Sequence, residues 1–135
     1  MNPTTKSRKP VLLIVEDEVE NQKFFEIILR KKFETDFCDT KKSMNKLLKE
    51  NEYDAVIMDI SLKDGNDGVE LIKEIRNNTM TSHLPIICLS AHIFAENKIK
   101  AEQAGADIYL TKPIKAKRLV DTVEELVASV INEKK

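Results

Sequence analysis

VLLIVEDE, residues 11–18, decides how this chain folds: five apolar, partly β-branched residues run straight into three acids. A continuous apolar run of strand length suits a strand buried on both faces, the environment of a sheet covered by helices on both sides. Residues 18 to about 31 then read as a helix, with Phe24, Phe25, Ile28 and Leu29 on one side and charges opposite. The pattern recurs along the chain. Strands are expected at 33–38, 55–59 (AVIMD), 85–90 (PIICLS) and 107–111 (DIYLT), with helices at 42–50, 67–77, 93–104 and from Ile114 onward. Asp67 with Glu70 three positions on resembles a capping box for the third helix. Leu119, Val123, Leu126, Val127 and Val130 form the apolar stripe of the last helix. Five alternations of strand and helix imply parallel strands joined by right-handed crossovers, an open, doubly wound α/β sandwich.

The bounds agree with a folded domain. The chain has 135 residues and is 41% apolar, enough to offset conformational entropy by burial. It carries 22 Lys and Arg against 23 Asp and Glu, so a formal charge of -1 supplies no global field to draw nucleic acid or an anionic membrane. No apolar run approaches the roughly 18 residues of a membrane span, and the start MNPTTKSRKP lacks a signal peptide's apolar stretch, so a cytoplasmic protein is expected. Cys38 and Cys88 sit in apolar runs without metal-ligand spacing and read as buried free thiols. A flexible segment is expected at 1–9, one domain at 10–131 and a flexible end at 132–135.

In open α/β sheets, ligands bind beyond the carboxyl ends of the strands. Those ends carry Glu16 and Asp17, then Asp59, Ser90, and Thr111 with Lys112. A lone acid after a strand is an ordinary turn former or helix cap. Three acids converging are another matter, because like charges at close range raise one another's pKa unless a cation neutralises them. Carboxylates, a loop carbonyl and water are hard oxygen ligands that suit Mg2+. A metal flanked by a lysine and a hydroxyl makes a site for a phosphoryl group.

With EDE after the first strand, MDISLKDGNDG after the third, LSA after the fourth and YLTKP after the fifth, the chain resembles the receiver domain of two-component response regulators, of the chemotaxis-receiver-like (CheY-like) kind. The resemblance covers about residues 10–131 and implies a flavodoxin-like fold, a five-stranded parallel sheet of order 2-1-3-4-5. It implies Asp59 as phosphoacceptor, Asp17 as direct metal ligand, Glu16 as an acid acting through metal-bound water, and the Ser61 backbone carbonyl as a further ligand. The metal implied is Mg2+, with Mn2+ as a substitute. Lys112 would stabilise charge on the phosphoryl oxygens, Ser90 would hydrogen-bond the new group, and small Ala91 would leave it a path. Tyr109 matches an aromatic that turns inward when Ser90 moves; an ordinary strand aromatic is its other reading. Lys112–Pro113 is expected to be cis. His92 matches a position that tunes acyl-phosphate hydrolysis, or is a solvated loop histidine. Lys63 replaces a common proline, and Asp64, Gly65, Asn66 and Gly68 read as turn chemistry.

The implied partner is a sensor histidine kinase or histidine phosphotransfer protein, with no direct contact to nucleic acid or membrane. The downstream partner is not readable, and a homodimer formed on phosphorylation is among the outputs the family allows. Such a domain promotes its own phosphotransfer without being a conventional enzyme. Three rival functions compete with this reading. A dinucleotide enzyme needs a glycine-rich turn where VLLIVEDE puts acids. A haloacid dehalogenase-type phosphatase needs an acid where Ser61 stands. A degenerate receiver acting as a phosphorylation-independent interaction module typically loses the acceptor or the lysine, and both are present.

Overall fold

The computed structural model describes residues 8–60, 67–91 and 95–133, with side chains of the last helix described as far as Ser129. Among these residues, strands and helices alternate: β1 (Val11–Val15), α1 (Val19–Leu29), β2 (Glu34–Cys38), α2 (Lys41–Glu50), β3 (Ala55–Asp59), α3 (Gly68–Asn77), β4 (Ile86–Ser90), α4 (Ala95–Ala104), β5 (Ile108–Thr111) and α5 (Ala116–Glu133). The strands form one parallel sheet in the order β2-β1-β3-β4-β5, as expected. Of the flexible stretches expected at 1–9 and 132–135, residues 1–7 and 134–135 lie outside the described residues, while residues 132–133 continue the last helix.

The central strands are apolar up to their carboxyl ends, where β3 closes on Asp59 and β4 on Ser90, because both of their faces are covered. Leu13, Val15, Val56, Met58, Ile86 and Cys88 point to one side and pack with Met44 of α2, Leu71, Ile72 and Ile75 of α3, and Ala101 and Ala104 of α4. The alternate residues Leu12, Ile14, Ile57, Ile87 and Leu89 meet Phe25 and Leu29 of α1 and Leu119, Val123 and Val127 of α5. Each fully buried Leu, Ile or Met among them contributes about 1.5–3 kcal/mol by leaving water. Among the described residues no helix is long and apolar enough to cross a membrane. Cys38 on β2 and Cys88 on β4 are buried and free, with β1 and β3 between their strands.

Element ends differ from expectation in instructive ways. Phe24 does not belong to the core stripe: it is 43% exposed while Phe25 and Leu29, four residues apart, are buried. One residue of a helix turns the side chain by about 100°, which carries Phe24 off the buried face. Its ring rests on that of Phe25 instead, with centroids 5.8 Å apart. At α3, Asp67 caps by accepting a hydrogen bond from Val69 N at 2.9 Å, while Glu70 engages Lys73 at 3.2 Å. The reciprocal capping box lies at α2, where Thr40 and Ser43 each accept from the other's backbone N–H. Residues 92–94, including the expected start of α4 at 93, lie outside the described residues. The last helix begins at Ala116, after a cis Lys112–Pro113 peptide, rather than at Ile114.

Candidate functional site

The sheet extends its hydrogen-bonded ladder one residue past three strands, and each extension fixes a functional position. Glu16 N donates to Cys38 O at 2.9 Å, Ile60 N to Leu89 O at 3.0 Å, and Lys112 N to Ser90 O at 2.8 Å. Asp59, opposite Leu89, is therefore held between paired neighbours at the carboxyl end of β3. Ser90, opposite Thr111, sits at the same rim with no exposed surface.

The side chains converge on that rim. Lys112 Nζ lies 2.6 Å from Asp59 Oδ2 and 3.9 Å from Glu16 Oε1. The Asp59 side chain is 4% exposed, that of Glu16 is fully buried, and that of Lys112 reaches solvent with about a quarter of its surface. Glu16 Oε2 accepts a hydrogen bond from Glu18 N at 3.1 Å, but Oε1 has no hydrogen-bond partner. Burial raises the Glu16 carboxyl pKa to about 8, and the neighbouring Asp59 carboxylate adds to the rise; the Glu18 N–H and the Lys112 ammonium oppose it. Two buried carboxylates facing one ammonium leave negative charge uncompensated, which a buried site tolerates only with a cation or a proton.

Those donors fit a hard cation. The unpartnered Glu16 oxygen and the Asp59 carboxylate are oxygen ligands of the kind Mg2+ takes, and among the described residues the two thiols, Cys38 and Cys88, are buried within their strands. Among the described residues, no three His, Cys, Asp or Glu side chains are already gathered at metal-holding distances. Glu16 and Asp59 converge on Lys112, and Asp17 is half-buried in the next position along the chain. The other sequence-derived positions fall as follows. Tyr109 on β5 is half-buried, opposite Cys88, and packs against the core face that carries α2, α3 and α4. Ala91 is exposed. Ser61 and His92 lie outside the described residues.

Two further residues carry no sequence signal, one at this rim and one at the opposite, amino-terminal ends of β4 and β5. Gln22 reaches back from the first turn of α1 and donates Nε2–H to Glu16 O at 2.7 Å. Arg76, at the end of α3, donates to the carbonyls of Gly105, Ser82 and Leu84 and pairs with Asp107 at 3.0 Å. Neither obeys a spacing rule, because both donate mainly to backbone carbonyls, which any residue type supplies.

Comparison with known proteins places this geometry in a family. Residues 12–124 match the response regulator receiver domain. The chain is 30% identical over 135 residues to the sensory/regulatory protein RpfC of Xanthomonas campestris, covering 95% of this chain and 18% of that protein. It is similar in structure to a putative response regulator from Chloroflexus aurantiacus, with a TM-score of 0.83 and 33% identity over 90% of this chain and 99% of the other. The receiver domain of sensor histidine kinase PA1611 from Pseudomonas aeruginosa, whose structure has a magnesium ion coordinated in the active site cleft, aligns with a TM-score of 0.80 and 28% identity over 90% and 99% of the two chains. This chain belongs to the response regulator receiver domain family, the CheY-like signalling modules of two-component systems, which are not conventional enzymes.

Proposed function

We propose that the chain is a phosphoacceptor receiver of His-Asp signalling and that Asp59 takes the phosphoryl group. The observation that carries this reading is the buried Asp59 carboxylate gripped at 2.6 Å by Lys112, beside a Glu16 oxygen with no hydrogen-bond partner. A receiver retained only for binding would have no need of a buried acid and ammonium in contact at the strand ends.

An Asp59 oxygen forms a bond to the phosphorus of a phosphohistidine, the P–N bond breaks, and its electron pair stays on the imidazole nitrogen. The product is an acyl phosphate. Lys112 fixes the carboxylate through Oδ2 and offers positive charge where the phosphoryl oxygens arrive. Glu16, Asp17, Asp59 and the Ser61 carbonyl would hold Mg2+, or Mn2+ in its place, and the bound ion would neutralise charge on the phosphoryl oxygens. Burial of the rim keeps competing water away from Asp59, which is 3% exposed. The donor is a sensor histidine kinase or a histidine phosphotransfer protein, and the PA1611 receiver's magnesium supports the choice of metal.

Ser90 hydrogen-bonds the new phosphoryl group, with Ala91 leaving it space, and Tyr109 turns inward. The repacked face is that of α4, β5 and α5, where a downstream protein or a second copy of the chain reads the state. Incubation with acetyl phosphate and Mg2+, followed by borohydride reduction and peptide mapping, tests the assignment. The label is expected on the peptide holding Asp59; a label on any other residue overturns the reading.

A further inference from the structure

We infer that Gln22 is a positioning residue for the cation site: its side-chain amide fixes the backbone of Glu16, so that Glu16 Oε1 is presented toward Asp59. The inference rests on the receiver reading and adds to it a residue outside the acid, hydroxyl and lysine set. Consider how each polar atom of Glu16 is used. Its N–H donates to Cys38 O at 2.9 Å, the last bond of the β1–β2 ladder. Its carbonyl lies one residue past the end of β1 and accepts from Gln22 Nε2 at 2.7 Å. Oε2 accepts from Glu18 N at 3.1 Å. Oε1 alone is left without a hydrogen-bond partner, inside the rim and 3.9 Å from Lys112 Nζ.

Three of the four groups thus act as fixtures, and the fourth is held out as a ligand oxygen. One constraint is a backbone ladder bond and one a local bond from Glu18 N to the Glu16 carboxylate, but the carbonyl constraint comes from another residue's side chain and is therefore tunable by substitution. Gln22 itself is tied in place, because its backbone N–H donates to Glu18 O at 3.0 Å in the first turn of α1. The acid loop 16–18 is closed at both ends by this one residue. The amide is also neutral. A lysine or arginine there could donate the same bond but would bring positive charge to a site whose uncompensated carboxylates are its means of attracting a cation. Residues that orient ligands without touching the metal commonly set its affinity, with substitutions costing about 10- to 100-fold.

The test uses Gln22→Met, which keeps the length and removes the donor, and Gln22→Leu as a second variant. Mg2+ affinity is measured by calorimetric titration and by backbone amide shifts of Glu16–Glu18, alongside the metal-free melting temperature and the Mg2+ concentration that half-saturates labelling by acetyl phosphate. Both variants are expected to bind Mg2+ at least about threefold more weakly, with the half-saturating concentration rising in step. A variant that melts earlier yet binds Mg2+ as the wild type does would show Gln22 to be only a structural strap and overturn the inference. An unchanged affinity with unchanged melting overturns it equally. A wild-type protein that neither binds Mg2+ nor labels would sink the receiver reading first, which separates the two failures.

Discussion

Lys112 Nζ lies 2.6 Å from Asp59 Oδ2 across 53 residues of sequence, and that contact joins the end of β3 to the turn after β5. Since Lys112 also stands 3.9 Å from Glu16 Oε1, its ammonium is the positive charge that the described structure sets among the buried acids.

Replacing it with methionine, similar in length and uncharged, is expected to slow phosphoryl labelling of the protein by about 100-fold, the scale of losing one group that stabilises charge in a transition state. Initial rates with acetyl phosphate at saturating Mg2+ measure this. A Lys112→Met protein labelled within about twofold of the wild-type rate would remove Lys112 from the transfer step.

Arg76 and Gly105 depend on each other. Gly105 has φ +123, and a Cβ there would come 2.5 Å from Arg76 Cγ and 2.8 Å from Nε, while Arg76 Nε donates to Gly105 O at 3.0 Å. Gly105→Ala is expected to cost about 2 kcal/mol or more, from the left-handed backbone and the clash together. Arg76→Ala is expected to cost about 2–3 kcal/mol by leaving half-buried carbonyls unsatisfied. In the double variant the clash is gone, so urea denaturation should show a sum smaller than the two singles by at least about 0.5 kcal/mol. Strict additivity would mean that the guanidinium does not rest on Gly105.

How much of this was legible follows from where each signal lives. The strands are readable because sheet burial on both faces leaves no polar position in runs such as AVIM (55–58), and the acids at their ends break that pattern abruptly. The register of the parallel sheet then brought Asp59 and Lys112 together without any local signal being needed. Phe24 was misplaced because a hydrophobic residue adjacent to the stripe looks like part of it until the 100° step is applied strictly. The capping box at α2 leaves no standard signature in the sequence, since Ser43, not Glu or Gln, fills the third position. Gln22 and Arg76 were invisible because a side chain bonded to backbone carbonyls leaves no trace in the identity of its partners.

Burial also governs the two thiols. It raises the pKa of both Cys38 and Cys88 from about 9 to about 12, with the Asp39 and Asp59 charges respectively adding to the effect. The folded state therefore holds thiol protons that the unfolded chain releases above pH 9. Their contribution to stability is full below pH 9 and is lost as the pH rises toward 12. At pH 8 the native protein should react with a disulfide reagent orders of magnitude more slowly than free cysteine, and both thiols should react promptly once urea unfolds the chain. Rapid reaction of either thiol in the native protein would contradict its burial.

The central claim is that Asp59 accepts a phosphoryl group in a cation-dependent step. Intact-mass spectrometry of wild type and Asp59→Asn after acetyl phosphate treatment, with Mg2+ and with a chelator, tests it most directly. The account predicts one added phosphoryl group on the wild type with Mg2+, and none with the chelator or on Asp59→Asn. Equal labelling of wild type and Asp59→Asn, or labelling indifferent to Mg2+, would contradict it.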